Sequence, residues 1–466
     1  MRAERDLQAM TKLALAACAA ALLAAAPAAA ADLNKDAQAV RDKALADPTA
    51  WDVVESLTTE IGPRPVGTPS MTRAKDWGVA KLKALGFENV HVEDFTTRAW
   101  VRGPESAEVI SPYPQKLAIL GLGNSAATPP GGIEAEIVVF KSLGEMLAQP
   151  PGALTGKIAV VTQAMRKTQG PAGYGSGVVQ RAIGADEAAK RGAIGYLIRS
   201  VSTDDTRLPH TGAMRGTGSI PAAALSVPDA ELLERMAARG KPIKVRLALS
   251  SSVIEQAPSW NVVGEIKGAS APNEVVVVGG HLDSWDPGTG AIDDAAGIAI
   301  STAAAKLAGT TGPRPRRTIR VVMWGSEEQS GSGAAYAAAH KDEVPNIVLA
   351  GESDLGSGEV WQARLPKGSA GHPAMRAFLA TLPALKVIAS AEPASDGGSD
   401  TEGLKALGVP VVDFDQDASR YFDLHHSADD TLDKIDPKEL AQNVAVWASF
   451  LRVVADSDID FRKAGQ

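Results

Sequence analysis

Cysteine is almost missing from this chain: among 466 residues there is one, Cys18, inside an apolar N-terminal stretch. A lone cysteine cannot close an internal disulfide, and all-cysteine zinc clusters are excluded. Basic charge is also in deficit, with 47 Lys and Arg against 55 Asp and Glu and a net charge of −8. That balance argues against a nucleic-acid surface, which needs a basic face. Beyond the N-terminus, no apolar run is long enough to form a transmembrane helix. What the chain does have is length and 45% hydrophobic residues, enough for a large core and more than one domain.

Residues 1–31 read as a targeting segment. Lys12 precedes LALAACAAALLAAAPAAAADLN, a cationic start followed by an apolar run and a small-residue exit, with cleavage expected near Ala31. Glu4 and Asp6 are out of place in such a leader, which makes Met10 an alternative start. Leu15 to Cys18 also matches a lipoprotein box, but Leu13 to Ala17 is a short apolar lead-in for one. Export to the periplasm or outside the cell is therefore preferred over a lipid anchor on Cys18. The exported chain would hold no cysteine, so any metal must be bound by His and carboxylate.

The remaining chain divides by texture. Residues 32–130 begin with three helical segments, one of them SMTRAKDWGVAKLKALGF, and continue into the strand NVHVEDFTTRAWV. Residues 131–250 carry short β-type runs such as GKIAVVTQ and AIGYLIRS, with short amphipathic helices between them. From 251 to 466 strand and helix alternate, and the strands EVVVV and TIRVVMWG are apolar throughout. That pattern requires a sheet covered on both faces. The expected core is a three-layer α/β/α sandwich with a mainly parallel central sheet, and its site should lie beyond the carboxyl ends of the strands.

Acidic and histidine residues follow the strands at that edge. EVVVVGG runs into His281 and Asp283, and its loop continues to Asp293 and Asp294 at the next helix start. TIRVVMWGS ends at Glu327 and Glu328, NIVLAGE leads to Asp354, and VPVVDFDQDASRYFDL leads to His425 and His426. Each cluster alone has an ordinary reading, because acid pairs suit helix N-termini and paired histidines occur on surfaces. Four such clusters at one edge are harder to explain that way. Burying so many carboxylates together is costly without cations. Two His and three carboxylates, with no thiolate, fit zinc or a similar borderline metal in a two-metal site.

HLDSWDPGTGAIDDAAG, VVMWGSEEQSG, ESDLG and YFDLHHSADDT resemble the metal motifs of the co-catalytic di-zinc exopeptidases, with the carboxypeptidase Q branch nearest. The resemblance extends over nearly the whole exported chain. It implies two Zn2+ ions, with Asp293 bridging them, His281 and Asp354 completing one site, and Glu328 and His426 the other. It further implies Glu327 as general base and Asp283 as the group orienting His281, and it brings homodimerisation as an expectation. GALTGKIAVVTQ and DEAAKRGAIGYLIRS resemble a protease-associated domain inserted at 131–250. The implied activity is hydrolysis of short unblocked peptides.

Several residues keep two readings. His425 is an oxyanion donor or a packed histidine, and Asp430 braces the His426 loop or caps a helix. His210 in LPHTGAM reaches over the site or is structural, the second being preferred. SDGGSDTEG (395–403) is a substrate loop or a solvated turn. Asp286 and Asp294 are assigned to loop structure and helix start, and His91, His340 and His372 to surface or structural roles. Alternative functions are an aminopeptidase on longer peptides, a one-zinc glutaminyl cyclase-like enzyme and a non-catalytic binding module. The last two conflict with a complete ligand set and a retained Glu327.

Overall fold

A computed structural model describes residues 32–216 and 218–464. The leader and Cys18 lie outside the described residues. The central sheet has five strands in the order Glu88–Val101, Ser252–Ile266, Arg317–Trp324, Ala271–His281 and Ile347–Glu352. The first two junctions are antiparallel and the last two parallel. The expected mainly parallel sheet is thus realised in the half that carries three of the four clusters, while the other half is an antiparallel ribbon; the strand before His425 and His426, Asp413–Gln416, lies instead in a separate three-stranded sheet, paired with Val360–Arg364. The ribbon arises because the chain leaves the sheet at Val101 and re-enters at Ser252 on a neighbouring strand running the opposite way.

The all-apolar strands are buried on both faces, as their composition requires. Val276, Val278, Ile319, Val321 and Met323 pack into one core with the helices Ala296–Thr310 and Pro437–Asp456. Val275, Val277, Val322 and Trp324 point the other way, into a second core with Tyr336, Ala337 and Leu404. This alternation is the period-two geometry of a strand between two layers. The Ala296–Thr310 helix is apolar all round and almost wholly buried, the signature of an interior helix. The Pro437–Asp456 helix begins at a capping Asp436, whose carboxylate accepts the Lys438 amide at 2.7 Å, with Pro at its first position.

A second sheet of eight strands is built from the chain between the two strands of the central sheet's antiparallel ribbon. Its parallel half, Ile133–Phe140, Ile158–Val161, Gly195–Arg199 and Ala222–Leu225, matches the short runs read from the sequence. The sheet also takes in Glu105–Ser111, Gln115–Leu117 and Ile119–Gly121, which precede residue 131, because Glu105–Ser111 pairs antiparallel with Lys244–Leu249. Its own small core gathers Ile158, Val160, Leu197, Leu233 and Val245. No helix among the described residues is long and apolar enough to cross a membrane.

Candidate metal centre

Three parallel strands end at one rim. His281 is the last residue of its strand, Glu327 and Glu328 follow Trp324 by three and four positions, and Asp354 follows Glu352 by two. Asp293 and Asp294 lie between the strand Ala271–His281 and its helix, joined by a cis peptide bond. Asp294 ties this junction down: Oδ2 accepts the His281 amide at 3.0 Å and Oδ1 the Gly297 amide at 2.9 Å. Gly280 is required here, since a Cβ would sit 2.5 Å from Asp294 Oδ2 and 2.6 Å from the Ile298 nitrogen.

The side chains converge as two overlapping groups. His281 Nε2 lies 3.1 Å from Asp293 Oδ1 and 3.5 Å from Asp354 Oδ1. His426 Nε2 lies 3.1 Å from Asp293 Oδ2 and 3.1 Å from Glu328 Oε2. Asp293 therefore stands between the two histidines. Asp294 is also within ligand reach of His281 and Asp354, but both its oxygens already accept amide protons. Asp293 Oδ2, Glu328 Oε1 and Asp354 Oδ1, by contrast, are buried without a hydrogen-bond partner. Orphaned buried carboxylate oxygens beside imidazoles are a donor set that fits a cation of the zinc type.

Electrostatics agree with crowding by like charges. Burial and the neighbouring Asp354 carboxylate hold Glu327 well above the usual carboxylate range. Glu328 is pushed up to about 7 by burial, against the pull of His426. Burial would raise Asp293 too, but the His281 and His426 imidazoles on either side outweigh it and hold this carboxylate well below its ordinary value. Burial drives His425 well below its ordinary value, helped by His426.

The supporting contacts redistribute some roles. His281 Nδ1 is 2.9 Å from the backbone carbonyl of Asp283 and 3.6 Å from its carboxylate. The Asp283 oxygens instead accept the amides of Glu327 (2.9 Å) and Glu328 (3.2 Å). Asp430 accepts the Ile292 amide at 2.6 Å, next to Asp293, so it braces the Asp293 loop rather than the His426 loop. Burial and repulsion from Asp293 push its carboxyl up to about 8. His425 is buried, stacks on Tyr421 with ring centroids 4.8 Å apart, and has no partner for either ring nitrogen. Asp286 pairs with Arg102 at 2.8 Å.

His426 has φ 59°, a left-handed conformation that costs a non-glycine residue on the order of 1 kcal/mol. The LPHTGAM turn holds it there. The Thr211 amide donates to the His426 carbonyl at 3.0 Å, and His210 Nδ1 donates to the His425 carbonyl at 2.8 Å while Nε2 meets Asp204 at 2.8 Å. His210 is thus a buried brace under the site. His91 and His340 both engage Glu93, and His372 caps the short helix Pro373–Leu379.

Sequence reasoning missed three residues. Tyr421 donates its hydroxyl to Asp293 Oδ1 at 3.0 Å. Arg64, from the GPRP turn, is fully buried and donates to the carbonyls of Gly62, Leu282, Thr289 and Gly290, fixing the His281–Asp293 loop. Burial lowers its guanidinium to about 10. Arg181 comes from the second sheet's segment. All three act across long sequence separations; the one local signal was an arginine between two prolines. Above the centre opens a cavity of about 620 Å³, lined by Glu327, Asp354, Trp361, His425 and the 395–399 loop.

Residues 261–451 match the model of peptidase family M28, a span that includes every clustered residue above. Carboxypeptidase Q of Mus musculus is 39% identical over 413 residues, covering 86% of this chain and 84% of that protein. The chain belongs to peptidase family M28. The Homo sapiens carboxypeptidase Q is 38% identical over 418 residues, covering 88% and 86% of the two chains. A peptidase M28 precursor from Shewanella amazonensis SB2B is 43% identical, with TM-score 0.89 over 92% of this chain and 98% of that one. A zinc aminopeptidase from Bacillus subtilis has a similar fold, with TM-score 0.63 and 16% identity over 89% and 96% of the chains. This M28 chain is a peptidase, and its clustered carboxylates and histidines are the residues able to hold a metal ion.

Proposed function

We propose that the protein is a di-zinc exopeptidase that hydrolyses short peptides with free termini. The observation that carries the reading is Asp293, a buried carboxylate set between His281 and His426 with an unpartnered oxygen. Two cations sharing it would be completed by His281 with Asp354, and by Glu328 with His426. Bound zinc supplies Lewis acidity for the scissile carbonyl and acidifies water to a pKa of about 7.

The chain's own residues do the rest. Glu327 follows the strand end without a ligand partner, and its carboxylate takes the proton from attacking water and passes it to the leaving amine. Asp283 fixes the backbone of Glu327 and Glu328 through their amides, so base and ligand keep one relative placement. His425, neutral and with two unpartnered nitrogens beside the cavity, donates to the developing oxyanion. Residues 131–250, within the second sheet, serve as an inserted protease-associated domain whose 171–181 segment closes one side of the cavity. Names of similar proteins support this reading: carboxypeptidase Q at 39% identity and a zinc aminopeptidase by fold.

The test is metal analysis of purified protein, followed by assay on dipeptides and on N- and C-blocked controls. Two tightly bound zinc ions and chelator-sensitive cleavage of the unblocked dipeptide are expected. One ion at saturation, or cleavage indifferent to chelator, would sink the reading.

A further inference from the structure

A cation borders the centre without an anion of its own. Arg181 lies on the helix Val179–Lys190 and lines the same cavity as Glu328 and His426. It is only 9% exposed. Among the described residues, its hydrogen-bonding neighbours are the Thr211 carbonyl, 3.1 Å from Nη1, and His426 Nδ1, 3.4 Å from the same atom. Its Nε is buried with no partner, and the Tyr174 ring lies 5.6 Å from the guanidinium carbon. Other arginines of this region are satisfied: Arg64 by four carbonyls, Arg364 by Asp415, Arg102 by Asp286. A buried charge without a counter-ion is costly.

The contact with His426 sharpens the point. His426 presents Nε2 to Asp293 and Glu328, and a metal ion held at that nitrogen would leave the ring hydrogen on Nδ1. Guanidinium and Nδ1–H are then both donors, and neither can accept from the other. An anionic oxygen beside them would accept from both. The proximity is built into the backbone: Gly212 has φ +125°, and a Cβ there would fall 2.1 Å from Arg181 Nη1 and 2.8 Å from His426 Nδ1. Only glycine lets the two donors meet.

We propose that Arg181 binds the C-terminal carboxylate of the peptide and so makes the residue after the scissile bond the last one. The inference rests on the exopeptidase reading and names the residue that reads the substrate's end. Arginine suits the task because its fork matches a carboxylate. The pairing itself sets the end: a chain that continues past this residue presents a peptide amide in place of the carboxylate and forfeits the charged fork. The inserted segment thereby supplies specificity to a centre whose ligands all come from elsewhere.

The test uses the full zinc-loaded protein with alanyl-alanine, its C-terminal amide and its N-acetyl form. Wild type is expected to favour the free acid strongly over the amide. Arg181→Gln should raise KM for the acid about 10- to 100-fold, the size of a lost charged hydrogen bond, with kcat changed far less. The acid-over-amide ratio should collapse, zinc content should hold, and Arg181→Lys should recover part of the ratio. A glutamine variant that keeps the ratio overturns the proposal, as does one that loses zinc and fails equally on acid and amide. If wild type cleaves none of the three, the exopeptidase reading fails, and melting temperature reads the carboxylate site separately. Millimolar alanine, but not alaninamide, should then raise Tm in wild type and not in Arg181→Gln; an equal response in both proteins overturns the assignment.

Discussion

Asp283 holds Glu327 by its backbone: Oδ1 accepts the Glu327 amide at 2.9 Å, while Oδ2 takes the neighbouring Glu328 amide at 3.2 Å. One carboxylate at the end of the His281 strand thus positions two acids at the end of the next strand. Asp283→Ala should lower kcat/KM by about 10- to 100-fold, the usual cost of losing a group that orients a metal ligand. Asp283→Asn, which keeps an acceptor, should lose less. Equal activity in all three proteins would show that the Glu327 turn holds itself.

Glu327→Gln preserves shape and removes the proposed base. Turnover should fall about 10²- to 10⁴-fold, while zinc measured by elemental analysis stays at the wild-type level. Residual activity near wild type would transfer the base role elsewhere.

Asp293→Ala removes the carboxylate that stands between His281 and His426. Zinc content should drop and the chelator should no longer shift the melting temperature, because the proposed shared ligand is gone. A variant that binds as much zinc as wild type would contradict the bridging assignment.

His340 offers a pH test away from the centre. It lies 2.7 Å from Glu343 and 2.8 Å from Glu93 and stacks on Tyr336. Burial works against its charge, but Glu343 and Glu93 win and raise it to about 9. A histidine raised in the folded state stabilises fully below its unfolded pKa near 6.5 and loses that contribution as pH climbs through about 9. Relative to His340→Gln, wild type should therefore lose about 2 kcal/mol of stability between pH 7 and pH 9, read by urea denaturation. A pH-independent difference would place the stabilisation in ring packing.

Much of the centre was legible because strand chemistry and ligand chemistry coincide. EVVVV and TIRVVMWG are too apolar for a sheet with a wet face, and parallel strands put their carboxyl ends on one rim. His281, Glu327, Glu328 and Asp354 follow from that rule alone. Reading Asp283 as the His281 support went less far, since a sequence offers neighbours at i+2 but not the amides 44 and 45 positions away. Asp430 was read against its nearest cluster, whereas its carboxylate bonds to Ile292, 138 residues upstream. Arg64 and Tyr421 gave no ligand signal of their own: an arginine or tyrosine becomes part of a site only through what it is folded against.

The sequence by itself determined the layers, the edge and the acids and histidines at its strand ends, because hydrophobic period and residue type act locally. Tertiary structure alone decided the antiparallel half of the sheet, the left-handed turn at His426 and the arginine beside it. Arg181 and His426 lie 245 positions apart. Their meeting depends on a separate sheet being carried back over the centre and on a glycine leaving room, and no local pattern encodes that distance.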